Sequence, residues 1–185
     1  MALTKTPVCD FGKKAENFKL KSINNELVSL NDIKGDKATL VMFICNHCPY
    51  VKAIIKDLAK DCNDLKSDGI SSVAIMSNDT KNYPEDSFDN MIEFAKAQNF
   101  DKIQYLYDEN QEVAKNYGAV CTPDFFGFNQ NLELHYRGRY RELKDLKLIS
   151  NGESDLKKAM RKIAQTQKGP EEQIPSMGCN IKWCK

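Results

Sequence analysis

Two cysteines separated by two residues, Cys45 and Cys48, enclose Asn46 and His47 in the segment Phe43-Ile-Cys-Asn-His-Cys-Pro-Tyr-Val51. In a first helical turn this spacing brings two sulfurs within reach of a bond of ~2.05 Å, so the pair can pass between dithiol and disulfide with little backbone movement. The unpaired N–H groups and the positive dipole end of a helix favour the thiolate, the attacking species, over a thiol whose free value is ~8.5. The expected carrier of that charge is Cys45, as the exposed member of the pair. His47 can add positive charge or a hydrogen bond near Cys45, which stabilises the reduced form and makes the disulfide more oxidising. Pro49 is tolerated at this place because first-turn N–H groups have no intrahelical partner.

The same side chains admit a metal reading, in which soft Cys and His ligands hold an ion instead of turning over. A structural zinc site needs four ligands, and the chain has no second CxxC and no His pair, His135 being the other histidine and falling in an expected strand. A mixed set of Cys45, His47, Cys48 and Cys121 is what remains of it. The seven cysteines form an odd set, so they cannot all pair within one chain, and in a reducing compartment close cysteines tend to be catalytic or metal-binding. Cys121, two residues before Pro123, reads equally as a thiol at the site's edge or as a small core residue. Cys179, beside Gly178 in the tail, reads as a redox participant if the tail folds back, or as a packed residue if it does not. Cys62 shares helical spacing with Ile55, Leu58 and Leu65 and is expected in the core, while Cys184 is expected as an exposed terminal thiol.

The elements that must position this pair follow from hydrophobic period. Ala38 to Cys45 is a continuous apolar, β-rich run, the pattern of a strand covered on both faces, and Pro49 to Lys66 carries apolar residues at helical spacing until Ser67-Asp68-Gly69. The CxxC therefore falls where a buried strand hands over to a helix, and Ser71 to Ser77 completes a βαβ unit. Asn17–Ile23 and Leu27–Leu30 predict an edge hairpin; Phe88 to about Asn99 predicts a helix and Ile103–Tyr107 a strand. Glu112–Tyr117 predicts a short helix closed by Gly118, Asp124–Asn129 and Glu133–Arg137 an antiparallel pair, and Glu153–Thr166 the last helix. The expectation is one α/β domain over residues 1–166, with a Pro- and Gly-punctuated tail over 167–185 that folds back on it.

Composition removes other classes of function. The 185 residues include 27 Lys plus Arg and 26 Asp plus Glu, a net charge of +1 with no dense basic patch, so nucleic acid is not an expected partner. The longest apolar run, Leu40 to Cys45, is too short to span a bilayer, and the N-terminus lacks a secretory apolar stretch, so the expectation is a cytoplasmic protein with no membrane partner.

The element order, with Tyr117-Gly-Ala-Val-Cys-Thr-Pro123 before the hairpin, resembles the thioredoxin fold over about residues 15 to 166: a central mixed sheet flanked by helices, with an N-terminal hairpin, an inserted helix and strand, and a C-terminal tail. The CxxC segment, Cys121-Thr-Pro-Asp124 and Pro175-Ser-Met-Gly-Cys-Asn-Ile-Lys-Trp183 together resemble the peroxiredoxin-like redoxins, the alkyl hydroperoxide reductase/thiol-specific antioxidant-like group, here with a CxxC. The resemblance implies a cis Pro123 packed against the cysteines and a Thr122 whose backbone serves an incoming peptide. It implies no bound cofactor; the partners would be a protein or small-molecule disulfide or hydroperoxide and a thiol electron donor.

Departures from the group bear on mechanism. Cys48 stands where peroxiredoxins place the peroxidatic cysteine, but Cys45 and Val41 replace the threonine and proline of the peroxide-activating loop, and none of Arg137, Arg139 and Arg141 is marked by sequence as its distant arginine. Thr39 replaces the buried acid of thioredoxins. The sequence thus points to a thiol–disulfide oxidoreductase with Cys45 attacking and Cys48 resolving, in redox homeostasis or antioxidant defence; the alternatives are a peroxidase using Cys48 and the Cys/His metal module.

Overall fold

The computed structural model describes residues 2–149 and 151–185. Among the described residues the strands are β1 (Leu3–Lys5), β2 (Lys19–Ser22), β3 (Leu27–Ser29), β4 (Ala38–Phe43), β5 (Ile70–Met76), β6 (Ile103–Tyr107), β7 (Cys121–Thr122), β8 (Asp124–Asn129), β9 (Leu134–Tyr136), β10 (Leu143–Lys144), β11 (Lys147–Leu148) and β12 (Met177–Asn180). The helices are α1 (Leu30–Ile33), α2 (Pro49–Leu65), α3 (Phe88–Ala97), α4 (Glu112–Tyr117) and α5 (Asp155–Thr166). Seven strands form the central sheet in the order β3-β2-β6-β5-β4-β8-β9, with β4, β5 and β6 parallel and β2, β3, β8 and β9 joined antiparallel. This is a thioredoxin-like α/β fold, and the β2–β3 hairpin takes the sheet edge, as its weak alternation predicts.

Every residue of β4 and β5 is buried, which is why both read as unbroken apolar runs. Leu40 and Met42 face one side and join Ile54, Leu58, Met91, Met160 and Ile163 of α2, α3 and α5. Val41 and Phe43 face the other and join Leu30, Val113, Tyr117 and Phe126. Each fully buried side chain of this kind contributes about 1.5–3 kcal/mol. Helix α2 starts at Pro49 in its first position, and the chain leaves the following single-turn helix through Gly69 at φ 78°, a left-handed cap that favours glycine. Gly118, at φ 68°, closes α4 in the same way.

Several elements exceed the sequence expectation. α1 forms on a capping box, with the Ser29 hydroxyl accepting from the Asp32 amide and the Asp32 carboxylate accepting from the Ser29 amide. β1 and the β10–β11 ribbon are too short to show a period of two. The tail supplies β12, which lies between β1 and β7 in a second, three-stranded sheet. No helix among the described residues is long and apolar enough to cross a membrane.

Candidate active site

β4 ends at Phe43 and α2 begins at Pro49, so residues 44–48 form the turn that carries both cysteines. Cys48 is the N-cap of α2. Opposite them, the Thr122–Pro123 bond at the end of β7 is cis, as the resemblance implies. Cys45 Sγ lies 3.4 Å from the Thr122 hydroxyl, and Cys48 Sγ lies 3.2 Å from the Thr122 carbonyl oxygen and 3.1 Å from Cys179 Sγ. The structure therefore brings Cys45, Cys48, Thr122, Pro123 and Cys179 to one place. Both cysteines of the pair are inaccessible, Cys45 at 1% and Cys48 at 0% exposure.

Their electrostatics are unequal, and not in the sense the sequence predicts. The Cys48 thiol is held down to about 5, first by the hydrogen bond that the Cys45 thiol donates to it, then by the Cys179 thiol and by the Val51 and Cys179 amides, against the opposing effect of burial. The Val51 amide favours the charge without forming a full capping hydrogen bond. Cys45 is pushed well up, first by donating to Cys48, then by burial and by the Asp86 carboxylate. The Cys48 thiol also donates to the Thr122 carbonyl, a contact that favours its protonated form. Cys48, and not Cys45, stands at the N-cap of α2, without a side-chain capping hydrogen bond.

The turn between the cysteines is held by a residue that the motif did not mark. Asp86, fully buried, accepts from the Asn46 amide at 2.8 Å and the His47 amide at 3.3 Å through Oδ1. Through Oδ2 it meets His47 Nδ1 at 2.6 Å and accepts from Asn78 Nδ2 at 2.8 Å. His47 thus spends one ring nitrogen on Asp86 while its ring stacks on Tyr83, with centroids 5.5 Å apart. Asn46 accepts from the Tyr105 hydroxyl at 2.8 Å and donates to the Glu85 carbonyl. Pro49 fills the first position of α2 and leaves no amide unpaired.

The expected metal set is rearranged. Cys45, His47 and Asp86 bring their ligand atoms within 4.8 Å of one another, whereas the Cys121 thiol turns away to donate to the Pro123 carbonyl at 3.6 Å. Burial pushes Cys121 far up, as befits a packed thiol. Cys62 is fully buried in the α2 face and pushed up to about 12 by burial. The three arginines each have partners of their own, and Arg139 and Arg141 line the groove that holds Tyr50 and Pro123. Arg137 donates to both oxygens of buried Asp124 and lies over Phe126 on the opposite core face, Arg139 pairs with Asp155, and Arg141 donates to the Gly152 carbonyl. Beside the cysteines runs an open groove of about 450 Å³, lined by Tyr50, Pro123, Phe125, Tyr140, Ile174 and Met177 among others.

The AhpC/TSA family profile matches residues 11–140. No curated protein matches. Among solved structures, an uncharacterized conserved protein from Geobacillus kaustophilus is 41% identical with a TM-score of 0.93, the match covering 100% of this chain and 97% of that one. A hypothetical protein from Sinorhizobium meliloti 1021 is 36% identical with a TM-score of 0.89, covering 98% of each chain. The thioredoxin domain of a thiol-disulfide oxidoreductase from Bacteroides vulgatus shares the fold at 18% identity and TM-score 0.57, over 69% of this chain and 86% of that one. With its profile match spanning the sheet, the cysteine pair and the cis-proline strand, the chain belongs to the AhpC/TSA family.

Proposed function

We propose that the protein is a thiol–disulfide oxidoreductase that cycles Cys45 and Cys48 between dithiol and disulfide, with Cys48 as the attacking thiolate. The observation that carries this reading is the unequal pair: a low Cys48 at the N-cap of α2, hydrogen-bonded to a protonated Cys45. Cys48, buried in the closed dithiol form, meets substrate when the β12 strand against its sulfur shifts; its thiolate then attacks one sulfur of a substrate disulfide, forming a mixed disulfide and expelling the other sulfur as a thiolate. Cys45 then loses its proton and attacks Cys48 Sγ, forming the Cys45–Cys48 disulfide and releasing the second substrate thiolate. An external thiol donor restores the dithiol by two further exchanges. No step needs a bound cofactor. Asn46, His47 and Pro49 fix the turn, and Thr122 and Pro123 form the wall facing both sulfurs. Redox homeostasis or antioxidant defence in a reducing compartment suits this chemistry and the free thiols.

Peroxide chemistry at the same thiolate is the competing reading, favoured by the low Cys48 and weakened by the commitment of Arg137 to Asp124. Stopped-flow oxidation of the reduced protein by 2-hydroxyethyl disulfide and, separately, by hydrogen peroxide decides between them. The proposal expects the disulfide to be the faster oxidant at equal concentration and Cys48→Ser to abolish the reaction. Faster consumption of peroxide that survives in Cys45→Ser would assign a peroxidase instead.

A further inference from the structure

The pair is not alone. Cys179 Sγ is as close to Cys48 Sγ, at 3.1 Å, as a hydrogen-bonded thiol can be, and it arrives on a strand that the fold builds with care. β12 pairs antiparallel with β7, placing Cys179 opposite Thr122 and Asn180 opposite Cys121, while β1 pairs with its other edge and sets Leu3 opposite Cys179. Gly178 makes the approach possible: a Cβ there would overlap the Thr122 carbonyl and lie 3.0 Å from the Pro123 ring, so no other residue fits without moving the strand. The chain beyond is fastened by buried polar groups. The Lys182 amide donates to Asn78 Oδ1 at 2.9 Å, the Lys182 carbonyl accepts from the Asp79 amide and from Gln111 Nε2 at 2.8 Å each, and the Cys184 amide donates to Gln111 Oε1 at 2.8 Å. Before β12, the Ser176 hydroxyl donates to the Pro123 carbonyl at 2.8 Å.

The third thiol has the chemistry of a reserve. Burial, and then its hydrogen bond to Cys48, push Cys179 up to about 12, so it stays protonated beside Cys48; a mixed disulfide at Cys48 removes the second of these causes and leaves Cys179 in contact with the sulfur to be attacked. Cys45 and Cys179 both neighbour Cys48, so Cys48 has two intramolecular partners, one on its own turn and one on the tail.

We propose that Cys179 is a third catalytic thiol, which resolves the mixed disulfide at Cys48 to form a Cys48–Cys179 disulfide. This rests on the dithiol reading above and extends it. With a substrate sulfur bound as Cys48–S–S–R, Cys179 gives up its proton to solvent and its thiolate attacks Cys48 Sγ; the S–R bond to Cys48 breaks and RS⁻ leaves. The oxidant is the substrate disulfide, reduced by two electrons to two thiols. Cys45 then attacks Cys48 Sγ and expels the Cys179 thiolate, which transfers the disulfide to Cys45–Cys48 with no net redox change. The tail strand thereby takes the Thr122 backbone that the resemblance assigns to an incoming peptide.

The test is disulfide mapping by mass spectrometry on the full chain after rapid mixing with 2-hydroxyethyl disulfide and acid quenching. Cys45→Ser is expected to yield the intramolecular Cys48–Cys179 disulfide. In Cys45→Ser/Cys179→Ser the adduct of Cys48 with mercaptoethanol should accumulate and persist at least about tenfold longer, because the proximal attacker is gone. Gly178→Val, which must displace β12, should suppress the Cys48–Cys179 bond in the Cys45→Ser background. A Cys45→Ser protein that holds the Cys48 adduct as long as the double variant does would overturn the role of Cys179. In the wild type, a Cys45–Cys48 disulfide formed alongside that negative result would leave the dithiol reading standing, whereas absence of any Cys48 adduct or disulfide would overturn both.

Discussion

Removal of the Asp86 carboxylate should loosen the cysteine turn by an amount that the structure lets one work out. Four hydrogen bonds converge on this buried group. The Asn46 amide and Asn78 Nδ2, both at 2.8 Å and buried, would be left without an acceptor in Asp86→Ala, at about 1–2 kcal/mol each. The His47 amide, at 3.3 Å, and the His47 ring, whose side chain keeps 14% exposure and can meet water, add about 1 kcal/mol together. The expected loss is about 3–5 kcal/mol, or roughly 10 °C in Tm for a chain of this size, read by urea and thermal unfolding of the reduced protein. Asp86→Asn keeps an oxygen for the two amides and loses the second acceptor, so about 1–2 kcal/mol is expected. The same substitutions remove a negative charge that holds Cys45 up, so the Cys45 thiol should move down. An Asp86→Ala loss under about 1 kcal/mol, or an Asn variant as damaged as the Ala variant, would refute the reasoning.

Other outcomes follow from the same geometry. Thiolate absorbance at 240 nm in the reduced protein should titrate with an inflection near pH 5 that disappears in Cys48→Ser and moves upward in Cys45→Ser, because the Cys45 hydrogen bond is its largest cause. Since the folded Cys48 lies below its unfolded value of ~8.5, its contribution to stability is complete above that value and is lost as pH falls through about 5; a Cys48→Ser protein whose stability changes with pH over that window as the wild type's does would contradict the assignment. Arg137→Ala should cost about 3–5 kcal/mol in urea unfolding by leaving the Asp124 carboxylate buried alone, and the deficit should shrink in acid, where Asp124 is protonated. Tyr105→Phe, which orphans Asn46 Oδ1, should cost about 1–2 kcal/mol and leave the sheet intact by circular dichroism.

What was legible in the sequence was what a local pattern records. The buried strand at Ala38, the amphipathic α2 and the hairpin around residues 129–131 show in periodicity because burial is decided residue by residue along each element. The pairing of the tail with β7 does not show, since a four-residue strand carries too few alternations; Gly178 and Cys179 mark only that the tail can return to the domain. Asp86 was not legible: its loop is polar throughout, and its importance comes from reaching 39 to 40 positions back along the chain to the cysteine turn. Spacing alone says that two cysteines flank a helix start; which of them takes the cap, and which neighbours each sulfur meets, is set by tertiary contacts that the motif does not record. His47 lies near Cys45, and its ring nitrogen meets Asp86, a partner the motif does not contain.

The most direct test of the central claim is equilibration of the purified protein in glutathione redox buffers, with acid quenching, alkylation and mass-spectrometric mapping of every cysteine. The account predicts one two-electron transition, between about −120 and −270 mV as for thioredoxin-fold dithiols, in which the Cys45–Cys48 disulfide is the end product and Cys9, Cys62 and Cys121 stay reduced. Cysteines 45 and 48 that remain alkylatable thiols across the whole range, or that are shielded by stoichiometric zinc at Cys45, His47 and Asp86, would contradict it.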